Sequence, residues 1–171
     1  MTKSIRKVIK RLKKFNQTYF NGCLDKCKII KYEKLGDIGD VFLLKDNQVI
    51  TTNPDGTQIS EFENFNKFDQ YLGIADGFVI DLTNGHIENR YKSPLKNNTL
   101  WFSNHKIDEI IMKYVMCYIV ANDLLGDMSI EHLKSIKIPI INTNYQEILA
   151  RKFGKQYKVV KYLENQANPK D

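Results

Sequence analysis

Seven cations crowd the first helix-sized stretch of the chain: Lys3, Arg6, Lys7, Lys10, Arg11, Lys13 and Lys14, with no acid among them. On a helix such a group gains no i,i+4 salt bridges, so another surface has to supply the negative charge. That surface is nucleic acid, lipid, a neighbouring subunit, or the acidic middle of the same chain. Several lysines and arginines on one helix can contact phosphates together, which gives binding that weakens steeply with salt. These seven residues are the candidate set for nucleic-acid or partner binding. Two carboxylate groups, Asp76, Asp81 and Glu88 around one hairpin and Asp37 with Asp40, are of the type that holds divalent metal in nucleases. No nucleophile or base is fixed beside them, and solvated strand edges account for them better. His86, His105 and His132 are isolated from one another and read as surface or capping residues. Cys23 and Cys27 stand one helical turn apart without a second Cys or His pair, so they read as small semi-buried side chains rather than a zinc site. The chain has no Gly-rich phosphate loop and no GxSxG, and no cofactor or metal is implied.

The net charge of +6 conceals an uneven layout. Residues 1–32 hold 10 basic and 1 acidic residue, residues 33–88 hold 3 and 11, and residues 89–171 hold 13 and 8. A basic end and an acidic middle on one chain can pair head to tail between subunits. At 171 residues with 42% hydrophobic and 27% charged content, the chain can bury an ordinary core, which excludes wholesale disorder. No run approaches a membrane span. Lys, Asn and Ile make up 58 of the residues, a usage that follows from AT-rich coding in a low-GC bacterium, its phage or plasmid, or a parasite. Three cysteines and no secretory signal point to a reducing compartment, the bacterial cytoplasm, or a virion assembled there.

The elements that position these groups follow from periodicity. Ile5, Val8, Ile9, Leu12, Phe15 and Tyr19 form one apolar stripe and predict a helix over 3–20 that Asn21-Gly22 stops. Residues 27–32 read as a strand, and 41–44 with 48–52 as a hairpin around Asp46-Asn47. The Asn53–Gly56 run is a turn, 57–62 a further weak strand, and Phe62, Phe65, Phe68 and Leu72 fit a short helix as well as a loop. Residues 78–82 and 86–91 flank a turn at 83–85, and 99–103 is another strand. A long, largely apolar helix is expected at 106–125, ended by Gly126, and a short one at 129–136 behind Ser129. Residues 138–141 are extended. A helix at 144–153 closes at Gly154, and 157–163 makes a last strand. The expected fold is α+β: a basic N-terminal amphipathic helix, a small antiparallel sheet, and a helical C-terminal half with a long central helix. Residues 1–163 form a single domain and 164–171 a frayed polar tail. Tyr91, Trp101, Phe102 and Tyr114 can stack on bases, but core packing is the better account, because no basic residues interleave with them.

Tyr19-Phe20-Asn21-Gly22, then Leu24, then the Lys28-Ile29-Ile30 segment, resembles the start of SprT-like zincin metallopeptidases, where a helix ends in such a turn and enters the first strand. The resemblance covers the first 30 residues and loosely the order of elements to about residue 125. It implies a strand followed by a helix carrying HExxH. In that register Asp108-Glu109-Ile110-Ile111-Met112 replaces the motif: Glu109 keeps the place of the general base, while Asp108 and Met112 stand where zinc ligands belong. A thioether is a poor zinc ligand, so the resemblance implies an eroded, metal-free relative. The function expected is that of a non-enzymatic structural or interaction protein, a bacteriophage virion or assembly component bound to its own copies or other protein subunits. The alternatives are a nucleic-acid-binding module using the basic helix, and a cryptic or degenerate metallopeptidase.

Overall fold

The computed structural model describes residues 3–126 and 128–167, apart from the side chains at 156–159, 161 and 167. The chain is α+β, as its sequence pattern predicts. Helix α1 (Lys3–Asp25) is followed by β1 (Lys31–Lys34), a single helical turn α2 (Leu35–Ile38), β2 (Gly39–Lys45), β3 (Gln48–Thr52), β4 (Gln58–Phe62) and α3 (Phe65–Leu72). Then come β5 (Gly77–Asp81), β6 (Ile87–Asn89), a 3-10 turn at Arg90–Lys92, β7 (Thr99–Asn104), α4 (Met112–Ala121), α5 (Ile130–Ser135), β8 (Lys137–Ile140) and α6 (Thr143–Ala167). Six strands form an antiparallel sheet in the order β4-β3-β2-β7-β5-β6, and β1 pairs with β8 in a separate two-stranded ribbon.

Alternation along the strands sends side chains to two faces. Val41, Phe78, Ile80, Leu100 and Phe102 join the larger core with residues of α1, α4, α5 and α6. Phe42, Leu44, Val49, Val79 and Trp101 join a smaller core under α3, closed by Phe68 and Leu72. Register aligns these sets: β5 and β7 place Phe78 opposite Phe102 and Val79 opposite Trp101, and the first pair stacks at 5.1 Å. Each large side chain so buried contributes about 1.5–3 kcal/mol. Gly77 is required here, because a Cβ would collide with the Phe102 carbonyl of the neighbouring strand.

The hairpin around Asp46-Asn47 forms as expected, both residues taking the positive φ of a two-residue turn, 53° and 62°. The aromatic run becomes α3, capped by the Asn64 side chain, which accepts from the Lys67 N–H. Ser129 caps α5 by accepting from the His132 N–H.

Several expectations need correction. The first strand begins at Lys31 rather than residue 27, because α1 runs on through Gly22 to Asp25 and pairing starts only where Ile30 donates to the Ile140 carbonyl. The helix expected at 106–125 is confined to Met112–Ala121. Buried Gln146 explains its late start: its side chain accepts from the Ile111 N–H and donates to the Glu109 carbonyl, taking the backbone partners a helix would use. Asn104 folds the same segment from the other side, accepting from Lys106 N–H and donating to the Ile110 carbonyl. The early end follows from Asp123 at φ 50°. Finally, Gly154 does not close a helix, and 157–163 is not a strand: α6 runs unbroken to Ala167, past the start of the expected tail. Leu149, Ala150, Phe153 and Val160 are buried at helical spacing, and that packing outweighs the roughly 1 kcal/mol a mid-helix glycine costs. Residues 168–171 of the expected tail lie outside the described residues. Among the described residues no helix is long and apolar enough to cross a membrane.

Candidate nucleic-acid interface

Helix α1 divides into two parts. Its last turns dock: Phe20 is fully buried against Phe153 at 5.0 Å, Tyr118 at 6.2 Å and Tyr114 at 6.3 Å, and Leu24 is buried beside it. Asn21 and Asn122 exchange side-chain amide hydrogen bonds of 2.7 and 3.2 Å, tying α1 to the end of α4. The earlier turns lie along α6 in antiparallel fashion, since Lys13 meets Glu164 while Tyr19 meets Phe153. The apolar stripe is only partly covered there. Val8 is 45% and Phe15 55% exposed, while Ile5, Ile9 and Leu12 are half-buried.

All seven candidate cations, Lys3, Arg6, Lys7, Lys10, Arg11, Lys13 and Lys14, are exposed. Among the described residues one ion pair touches them, Lys13 to Glu164 at 3.5 Å. At that exposure it contributes no more than about 1 kcal/mol. The acidic middle of the chain does not neutralise the helix. α6 adds one exposed cation against α1, Lys152. Lys152 sits 4.6 Å over the Tyr19 ring and 3.6 Å from the Cys23 sulfur, and its hydrogen bond with Tyr19 raises its pKa. Sequence reasoning missed this cation, because no local spacing shows that α6 runs back along α1. The length of α6 alone is signalled, by the continuing spacing of Leu149, Phe153, Val160 and Leu163.

The other marked groups go to separate places. His105 pairs with Asp40 at 2.9 Å, and His132 bonds the Leu124 carbonyl at 2.7 Å. His86 lines a polar cleft of about 440 Å³ with Asp81, Glu88, Ser93 and Lys96. Asp81 is held there by Lys96 at 2.9 Å and by Thr83. Burial works against its charge, but the Thr83 and Lys96 hydrogen bonds and the Lys96 charge prevail and lower its pKa to about 2. Burial raises the pKa of Asp76, which spends one oxygen on the Gly77 N–H, and Asp37 is exposed on α2. Cys27 bonds the Cys23 carbonyl at 3.5 Å. Among the described residues no three His, Cys, Asp or Glu side chains cluster so as to hold a metal ion. Asp108 and Glu109 are exposed in the turn before α4, and Met112 is the first, buried residue of that helix. The three therefore share no helical face. Trp101, Phe102 and Tyr114 are buried, whereas Tyr91 is 60% exposed and donates to the Ile74 and Ala75 carbonyls.

No family model matches the chain, and no curated protein matches it. Among solved structures it is similar to the crystal structure of the HsdS subunit from Thermoanaerobacter tengcongensis, with 13% sequence identity and a TM-score of 0.50. The superposition covers 98% of this chain and 49% of that one, so the chain spans about half the length of the protein it matches. At that identity the likeness is one of fold.

Proposed function

We propose that this chain is a non-catalytic subunit that holds double-stranded nucleic acid within a larger assembly. One observation carries the reading: seven cations stand exposed on α1 with a single weak ion-pair partner among the described residues. A duplex supplies negative charge at about 1.7 Å intervals, enough to meet a cationic row of this density. The fold agrees with a subunit's station, since the similar solved structure is by its name a subunit. Free Cys23, Cys27 and Cys117 suit an intracellular setting or a virion assembled in one.

A labelled duplex titrated at several salt concentrations tests the reading. Binding weakens as salt rises, and Lys10→Glu/Arg11→Glu/Lys14→Glu makes the log–log salt slope shallower by about 3. Affinity unchanged by the triple reversal would sink the proposal. A second reading rests on the partly uncovered Val8 and Phe15: α1 docks on an acidic protein surface, as in a virion or assembly component. In that case the duplex does not bind, and the triple reversal abolishes a protein contact instead.

A further inference from the structure

A groove of about 400 Å³ opens between β6, α4 and α6. Its floor is apolar, made by Ile87, Met116, Cys117 and Ala150, and its rim is cationic, with Lys92, Lys113, Arg151 and Lys155 all exposed. Arg151 is held by Glu147 at 2.7 Å, and Glu88 at the edge accepts from Ser93 at 3.2 Å. Lys92, Lys113 and Lys155 form no ion pair among the described residues. Gly154 keeps the groove open: nothing lies within 4 Å of where its Cβ would be. A glycine inside a helix costs about 1 kcal/mol against alanine, and the chain's own packing does not require it here.

The opposite kind of surface stands on the other side of the sheet. Ile74, just after α3, is 92% exposed, and Tyr71 is 53% exposed. Gly73, at φ +51°, turns the chain so that Ile74 projects. Carboxylates stand on the Tyr71 side of this knob: Asp40 lies 3.4 Å from the Tyr71 hydroxyl and also pairs with His105 at 2.9 Å, and Glu61 is exposed on the neighbouring strand. Burial first, and then the charges of Asp40 and Glu61, raise the Tyr71 hydroxyl pKa. An apolar knob with carboxylates on one side complements an apolar groove whose rim carries lysines. The six-stranded sheet separates them, with α3 and Trp101 in one core and α4 and α6 in the other, so a chain cannot fill its own groove.

We propose that a second copy of this chain docks here, its Tyr71–Ile74 knob seated in the groove between β6, α4 and α6. The contact joins two different surfaces and is therefore head to tail. It is independent of the nucleic-acid reading, which rests on α1.

Size-exclusion chromatography with light scattering tests it on the full chain, freed of nucleic acid. At low salt the average mass rises above 20.0 kDa with protein concentration, and high salt reverses the rise. Ile74→Asp changes an exposed knob, and Gly154→Leu fills the groove with a better helix former. Each weakens self-association about tenfold or more. Mixed together, the two variants recover a complex of twice 20.0 kDa, because one retains the groove and the other the knob. A monomer at every concentration and salt, or an oligomer that neither variant dissolves, overturns the proposal. Duplex affinity measured on the same variants is unchanged in either case, which keeps the two readings apart.

Discussion

Phe15 and Phe20 lie on the same helix, yet the first is 55% exposed and the second not at all. The same contrast runs through the charges. Around the six-stranded sheet, acids find partners within the chain: Asp81 pairs with Lys96 at 2.9 Å and Asp69 with Arg90 at 4.0 Å, and Asp40 hydrogen-bonds the His105 ring at 2.9 Å. On α1, among the described residues, one of the seven cations has an ion-pair partner, Lys13 with Glu164 at 3.5 Å. The pairs around the sheet close within the chain, whereas the first turns of α1 leave both apolar area and charge for something outside it. Folding alone does not require that arrangement. A helix meant only for its own core would place acids at i+4 from its lysines and bury its stripe.

The largest expected effect falls on the self-satisfied side of this comparison. Phe20→Ala removes a ring that touches α4 and α6 and costs about 3–5 kcal/mol in denaturant unfolding. Phe15→Ala, five residues earlier, stays within about 0.5 kcal/mol. Equal losses from the two substitutions would break the division of α1. A smaller effect belongs to Asp81. Its folded pKa of about 2 lies below the ordinary value of about 3.9, so it stabilises the fold above that ordinary value and loses the contribution as pH falls toward 2. The stability difference between the wild type and Asp81→Asn accordingly shrinks as pH drops from 5 to about 2, read from urea midpoints. A difference that stays constant would remove the Thr83 and Lys96 contacts from the account.

How far the sequence discloses this arrangement depends on whether local signals compete with tertiary ones. The Asp46-Asn47 hairpin is legible because its turn chemistry is local. So is the basic face of α1, where the period and the charges fall within one window. The loop at 105–111 is not, because Gln146, far along the chain, takes the Glu109 and Ile111 backbone groups. Gly154 misleads for a related reason. Glycine is a common stop signal, and only the burial of Phe153 and Val160 against neighbouring helices carries α6 past it. The seven cations are nameable from sequence, but that the acidic middle leaves them unpaired is a fact of three-dimensional placement. The groove between β6, α4 and α6 joins segments too distant for any spacing argument.

The most direct test of an outward-directed α1 is a pair of measurements on one protein in which Lys3, Arg6, Lys7, Lys10, Arg11, Lys13 and Lys14 are all changed to glutamine. The account predicts unfolding free energy within about 0.5 kcal/mol of the wild type or slightly above it, as like-charge repulsion is relieved, together with loss of salt-dependent duplex binding. A variant that is clearly destabilised and still binds the duplex with wild-type affinity would contradict it, and would place the role of these charges inside the fold.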